Sequence, residues 1–334
     1  MNNKENVILI DYDAPYDWEF HKAIEETTGK KWTVYKEISN ENHSNAIQKF
    51  IRYAKYFIVP LKIAKRYKRY NKVLAWQQFY GLILAFYFRV FNVQNTPDIV
   101  VLTFIYKPKR SIAGKIYDKF IRYIVTSKYI KHIVVFSESE KIRYAEYFGV
   151  PKSKFTSEIL GYEDKTLEIP MENAGDFYLA AGRSNRDYKF LIDAWNNRKE
   201  LLTIVCDTLS SKDTPHIRIL NECHDDAYFA ELAKCYAAVV PLEDMHISSG
   251  QLVIIQAMMY GKPVVVTEND TVKDYIVNGK TGLIIEKTEK ALEDAIELLK
   301  DETYYKQMSI AARKQYESKF SIYAMGVAIG MLLN

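Results

Sequence analysis

Two short stretches of this 334-residue chain carry residue types and spacings suited to holding an anion. The first is Gly182-Arg183-Ser184-Asn185-Arg186, directly after the apolar run Phe177–Ala181. That run reads as a parallel strand, which puts both arginines on a loop at the carboxyl edge, where open α/β sheets bind ligands. Paired guanidinium donors hold a diphosphate and neutralise charge as it leaves. The second is Ser248-Ser249-Gly250-Gln251, which opens the apolar-rich run LVIIQAMM. Ser248 or Ser249 reads as the cap of a helix, and Gly250 would let a ligand approach the N–H groups of its first turn. Those orphan donors and the macrodipole favour a phosphate there. An ordinary capped helix and a surface arginine pair would show the same residues, so the stretches alone leave both readings open.

The elements that position these groups follow from period and punctuation. Gly261 closes the helix, and Val264–Thr267 is a buried strand after the turn at Gly261-Lys262-Pro263. Leu202–Val205, Ile217–Leu220 and Ala237–Leu242 read as further strands, with a helix over Ala227–Tyr236. Leu292–Leu299, Tyr304–Glu317 and Ile322–Leu333 read as closing helices. In the first half, Asn6–Ile10, Trp32–Tyr35, Asp98–Phe104 and His132–Phe136 read as strands. Leu82–Phe91 reads as a core helix too short to span a bilayer, and Ile116–Val125 as another helix.

Composition bounds the class. The length suits two ordinary domains, and 48% hydrophobic with 26% charged residues is that of a folded protein. MNNKENVILI reads as a polar tag running into a strand, with no signal peptide. Cys206, Cys223 and Cys235 form no disulfide framework and, with His224, fit no common zinc spacing. A reducing cytoplasm is therefore expected.

Charge is unevenly spread. No Asp or Glu falls between Asn42 and Pro97, a stretch holding Lys49, Arg52, Lys55, Lys62, Lys65, Arg66, Lys68, Arg69, Lys72 and Arg89. From Ser44 to Val59, Ile47, Phe50, Ile51, Ala54, Phe57 and Ile58 fall at helical spacing, and Pro60 breaks or kinks the run. Such a basic, aromatic, amphipathic segment fits an anionic membrane surface, each cation contributing about 1 kcal/mol at best. A solvated helix face is the alternative. No nucleic-acid motif accompanies the patch, so no nucleic-acid partner is expected.

The two anion-holding stretches and their surroundings resemble a known family. Ser249-Gly250-Gln251, Gln256-Ala257-Met258 and Gly261-Lys262-Pro263-Val264 are similar to the donor-binding segment of retaining, nucleotide-sugar-dependent glycosyltransferases of the GT-B fold, family 4 and its relatives. Asp274-Tyr275-Ile276, Asn278-Gly279, Thr281-Gly282-Leu283-Ile284, Ala311-Ala312-Arg313 and the loop from Ala181 to Tyr188 extend the match over about residues 178 to 322. The resemblance implies an α/β fold of two Rossmann-like domains facing across a cleft, with the last helix crossing back to the first. It places an acceptor-side domain at 1–163, a donor domain at 164–319 and the returning helix at 320–334.

The resemblance also assigns roles. Gly182, Arg183, Arg186, Ser248, Ser249, Gly250, Gln251 and Gln256 would bind the nucleotide sugar, UDP-linked above others, with the base near Asn221–Asp225. Two glutamates with seven residues between them mark the family at this helix; here those positions are Ser248 and Gln256. Gln256 retains an amide oxygen for a ribose hydroxyl, whereas Ser248 supplies no carboxylate. Glu243 and Asp244, on the preceding loop, are the substitute carboxylates, and Arg183, Arg186, Glu243 and Asp244 form the expected catalytic set. Arg183, Arg186 and the N–H groups of Ser249, Gly250 and Gln251 can stabilise the leaving group without metal, so neither a divalent ion nor another cofactor is expected. The loop after the first strand, DYDAPYDWEF, has no glycine, and the loop after Phe104 has no histidine, both departures from the family. There Tyr12 and Asp13, and then Tyr106, Lys107, Lys109 and Arg110, are acceptor-side candidates.

The implied activity is transfer of a sugar to a lipid-linked saccharide acceptor, of the polyprenyl-diphosphate kind, in surface polysaccharide synthesis, on the inner face of the membrane. A donor-binding but inactive partner subunit, or an epimerase or hydrolase on the same fold, are the alternatives.

Overall fold

The computed structural model describes residues 4–38, 46–210 and 214–334, and its first long helix carries described side chains from Phe50 onward. The chain divides into two compact units, Met1–Glu158 with Gly326–Asn334, and Ile159–Met325. The divisions implied by the motifs fall a few residues away, at 163/164 and 319/320. Asn42 to Asn45 of the acid-free stretch, and the side chains of Ile47 and Lys49, lie outside the described residues.

The first unit runs β1 (Glu5–Ile10), α1 (Glu19–Thr28), β2 (Trp32–Lys36), α2 (Ala46–Lys65), β3 (Tyr70–Ala75), α3 (Gln78–Val90), β4 (Asp98–Val101), α4 (Ile112–Val125), β5 (Ile130–Val135), α5 (Glu138–Phe148) and β6 (Phe155–Ser157). All pairings are parallel, in the order β2-β1-β3-β4-β5-β6. β1 and β3 are neighbours although a strand and two helices intervene in sequence, so the order reverses between them. Ile8, Leu9, Leu74, Val101 and Val134 are buried, as strands covered on both faces require. β3 is absent from the sequence reading: YNKVLA closes a basic segment, and only its last three residues are apolar.

The second unit runs β7 (Phe177–Ala181), α6 (Tyr188–Trp195), β8 (Leu201–Val205), β9 (Ile217–Leu220), α7 (Asp225–Lys234), β10 (Ala237–Val240), α8 (Gln251–Met259), β11 (Val264–Thr267), β12 (Leu283–Ile285), α9 (Glu289–Leu299) and α10 (Glu302–Gln315). Its order is β12-β11-β10-β7-β8-β9, again parallel throughout, with the reversal between β7 and β10. Two Rossmann-like sheets are thus present. The last helix, α11 (Ile322–Leu332), ends in the first unit, where Gly326 lies against Phe20 and Ala23 and Gly330 against Thr27.

The structure corrects the reading of α2. The helix continues through Pro60 to Lys65. One lost hydrogen bond costs about 3 kcal/mol, and burial of Tyr56, Val59 and Ile63 on the sheet offsets it. The buried face is that trio; Phe50, Ile51, Phe57 and Ile58 are all exposed. The basic stretch is also not one surface. Lys55 and Lys62 lie 3.6 and 3.9 Å from Glu37, and Arg69 lies 3.3 Å from Glu5. Lys72 donates to the Leu333 carbonyl, and Arg89 donates to Thr126 at 3.0 Å. Among the described residues no helix is long and apolar enough to cross a membrane.

Candidate functional site

The reversal between β7 and β10 splays the loops that leave their carboxyl ends, which opens a crevice there. Both anion-holding stretches come from these two loops. β7 ends at Ala181, and Gly182 follows at φ +107°, a conformation L side chains rarely adopt. A Cβ there would also stand 2.9 Å from Arg186 Nη2. Glycine is thus required by the backbone and by the guanidinium folded against it.

Arg186 is spent within its own loop. Its Nε donates to the Ala181 carbonyl at 3.0 Å and its Nη1 to the Ser184 carbonyl at 2.8 Å. Burial lowers its pKa, against smaller opposing effects from Tyr188, Tyr228 and Cys206, and no carboxylate pairs with it among the described residues. A half-buried cation without a counter-anion raises the local potential toward anions. Tyr188 donates to the Gly182 carbonyl at 2.6 Å and completes the brace. Arg183, by contrast, is exposed; its Nη1 lies 4.0 Å from Asp207, which also faces His224 at 3.6 Å.

The mouth of α8 differs from the sequence reading. Neither Ser248 nor Ser249 caps it; Gly250 is the cap residue at φ +89°, and no side chain closes the first turn. Ser248 Oγ instead accepts from the Gln251 amide, and Ser249 Oγ accepts from Asn185 Nδ2 at 2.9 Å. Nor does Gly250 clear room for a ligand. A Cβ there would meet Val240 and Leu242 side chains at 3.1 and 3.3 Å, so its bare face is turned to the sheet. The first-turn donors of Gln251, Leu252 and Val253 are left open by this geometry.

Two asparagines fix the loop into α8. Asn185, itself at φ 54°, donates to the Asp244 carbonyl at 3.0 Å and accepts from the Asp244 N–H at 2.8 Å. Asn269 donates to the Asp244 and Ile247 carbonyls, each at 3.0 Å. Glu243 and Asp244 therefore stand on a backbone-clamped loop with exposed side chains, and the Asp244 carboxylate accepts from the His246 N–H at 2.8 Å. Lys287 joins the Glu243 carbonyl, at 2.9 Å, to Asp187, at 3.1 Å.

A cavity of about 310 Å³ lies over these carboxyl ends, walled by Gly182, Arg183, Asp207, Cys223 to Asp225, Tyr228, Leu252, Val253 and Gln256. It brings together the arginine loop, the loop Asn221–Asp225 and the first turns of α8. Gln256 is buried, and its amide oxygen accepts from Tyr228 OH at 3.1 Å, which leaves that oxygen one lone pair for a ligand. Arg186, Glu243, Asp244, Ser248, Ser249, Gly250 and Gln251 lie outside the wall. Asp207, Tyr228 and the asparagine clamp escaped the sequence reading. An acid directly after the apolar run ending in Cys206 was the available signal for Asp207.

The first unit has its own crevice, at the reversal between β1 and β3. Asp11 is buried there and accepts from Gln77 Nε2 at 3.2 Å; the same nitrogen donates to Tyr56 OH at 3.3 Å. Tyr12, Trp18 and Trp76 pack edge to face against one another. Asp13 is exposed and pairs with Lys36 at 3.0 Å. Tyr106 is buried and donates to Asp118 at 2.5 Å, which removes it from the acceptor-side candidates; Lys107, Lys109 and Arg110 remain exposed. Among the described residues no cluster of three His, Cys, Asp or Glu could hold a metal ion.

Residues 185–315 match the family model described as glycosyl transferases group 1. No curated protein matches the sequence. Among solved structures, sucrose-phosphate synthase from Thermosynechococcus elongatus superposes with a TM-score of 0.69 at 14% identity, over 99% of this chain and 98% of that one. HepE of Anabaena, solved in complex with UDP, gives 0.66 at 12% identity over 98% and 99%. WaaG, a glycosyltransferase involved in lipopolysaccharide biosynthesis, gives 0.59 at 13% over 98% and 99%. The fold is GT-B, as the motifs implied, and the match to the glycosyl transferase model lies over the stretch that holds most of those motifs.

Proposed function

We propose that this chain transfers a sugar, with retention at the anomeric carbon, from a UDP-linked donor to a polyprenyl-diphosphate-linked saccharide at an anionic membrane surface, in the making of a surface polysaccharide. The observation that carries the reading is the cavity beneath Gly182 and Arg183. It is walled by the uncapped start of α8 and braced by a half-buried Arg186 that has no carboxylate among the described residues. That is an anion site built before any anion arrives.

In this reading the diphosphate spans Arg183 and the first-turn N–H groups of α8. As the bond to the anomeric carbon breaks, charge develops on the leaving phosphate, and donors already aimed at it stabilise it without reorganising. Arg186 acts at one remove: it holds the Ala181 and Ser184 carbonyls, which fixes the loop that presents Arg183. Gln256 offers its free lone pair to a ribose hydroxyl, and Asp207 with the Cys223–Asp225 backbone stands where the rest of the nucleoside would lie. Glu243 and Asp244 offer carboxylates on a clamped loop to the sugar. No metal or cofactor is invoked, because the charge on the diphosphate is met by side chain and backbone. The structures of HepE with UDP and with UDP-glucose, and the biosynthetic role of WaaG, support this choice of donor and setting.

The test has two steps. UDP should raise the melting temperature of the chain, since a ligand that binds only the folded form stabilises it. UDP should then be released from UDP-glucose only when a prenyl-linked acceptor is added. Release without acceptor would point to a hydrolase or epimerase. A thermal shift with no release under any acceptor would favour a donor-binding partner subunit, the reading that Ser248 and Gln256, in place of carboxylates, support.

A further inference from the structure

We propose that the groove between α2, α3 and α4 seats the hydrocarbon chain of the prenyl-linked acceptor; this deepens the acceptor reading above and rests on it. The groove is a cavity of about 470 Å³, within the range of about 300–1,000 Å³ usual for small-ligand pockets. Its wall is apolar throughout, formed by Tyr56 and Phe57 of α2, Phe79 and Ile83 of α3, and Ile116 and Phe120 of α4. Phe57 and Ile116 are 46% and 66% exposed, and Phe50, Ile51 and Ile112 beside them also face outward. Large exposed apolar patches are uncommon on soluble proteins and mark places where a ligand, partner or membrane docks.

Two features select a prenyl phosphate over other apolar ligands. The rim is cationic: Arg52 lies over the Tyr53 ring at 5.6 Å, and Lys109 lies 5.9 Å from the Tyr117 ring. Neither Lys109 nor the exposed Arg110 next to it meets a carboxylate among the described residues. A phosphate attached to a chain in the groove would meet these cations. The groove also leads to the crevice of the first sheet. Tyr56 stacks on Phe79 at 4.9 Å within the wall, while its hydroxyl accepts from Gln77, which in turn holds Asp11. One side chain thus joins the apolar seat to the polar end of β1 and β3, where an acceptor hydroxyl would be delivered.

The experiment measures binding of farnesyl diphosphate, a soluble prenyl diphosphate, to the full chain by calorimetry, with UDP saturating so that the donor pocket is occupied. Inorganic diphosphate and anionic vesicles serve as the two comparison ligands. Farnesyl diphosphate should bind at least about tenfold more tightly than inorganic diphosphate, because burial of its chain is added. Ile116→Glu and Phe57→Gln, exposed positions where the fold tolerates change, should each cancel most of that difference. Lys109→Ala should weaken binding a few-fold, and all three should bind UDP as the parent does. Equal affinity for the two diphosphates, or unaltered binding in both groove variants, overturns the proposal. Binding to vesicles without binding to soluble farnesyl diphosphate also overturns it, since the apolar face would then serve a bilayer. A missing UDP shift would instead count against the donor reading, which leaves the two failures distinguishable.

Discussion

The two sheets reverse their strand order in the same way, yet the crevices at their reversals are chemically opposite. At β7 and β10 the crevice has a glycine at positive φ, an exposed Arg183 and an uncapped helix start, on loops braced by Arg186 and Asn185 side-chain bonds to backbone carbonyls. At β1 and β3 there is no glycine in the first loop, a buried aspartate accepts from Gln77, and Tyr12, Trp18 and Trp76 pack against one another. One gathers a guanidinium group and open N–H donors; the other has a buried carboxylate and a cluster of aromatic rings. The fold supplies two equivalent openings, and the loops decide what each admits.

The sharpest way to break this contrast is Arg186→Met. Deleting the guanidinium leaves the Ala181 and Ser184 carbonyls without their donor, at a cost of about 2–4 kcal/mol by urea denaturation, with loss of the UDP thermal shift. Arg186→Lys should rescue part of the stability and little of the binding, because one ammonium cannot serve both carbonyls in a fixed fork. A variant that keeps full UDP affinity would show that the brace is irrelevant to the site.

Next in size is the other crevice. Gln77→Ala removes the amide that bonds Asp11 and Tyr56 and should reduce transfer to a lipid acceptor by about a hundredfold, as for a lost positioning contact. UDP affinity should be unaltered. A matching loss of UDP binding would erase the division of labour between the two openings. Arg183→Ala comes third. Arg183 is exposed and only loosely paired with Asp207, so stability should hold while UDP binding falls about tenfold in calorimetry, the worth of one charge-assisted hydrogen bond.

The two crevices were unequally legible in the sequence. The crevice of the second unit announces itself locally, because Gly182, Arg183 and Arg186 follow a strand by a few residues. Its finer geometry does not. Ser248-Ser249 looks like a cap, but Asn185, far upstream, takes the Ser249 hydroxyl, and Gly250 becomes the cap instead. The first unit hides its key strand, since β3 emerges from a run of lysines and arginines. In α2 the spacing of Phe50, Ile51, Phe57 and Ile58 gives an apolar face, but spacing does not tell which face the sheet will cover. Tyr56, Val59 and Ile63 took that place, because β3 and α3 pack there, and the more obvious stripe was left outside.

The smallest effect separates the units by pH. In the first, Lys154 is half-buried and donates to the Ser127 carbonyl at 2.8 Å and to that of Ile130; burial pulls its pKa down to about 8. The unfolded chain, with an ordinary lysine value near 10.5, then binds more protons than the folded one between those two limits. Stability of this unit should therefore rise with pH from about 8 toward 10.5 and level off above it. The second unit responds at the other end. Burial raises the Asp164 carboxyl, but bonds from Arg313, at 2.6 Å, and Thr166 outweigh it and leave the pKa below 3.8. That contribution is present above the ordinary aspartate range and is lost as pH falls through the depressed value. Three of the four tryptophans, Trp18, Trp32 and Trp76, lie in the first unit, so fluorescence in a Trp195→Phe background follows it alone. Lys154→Met should flatten the alkaline rise in that signal, and a rise that persists would mean the titrating group lies elsewhere.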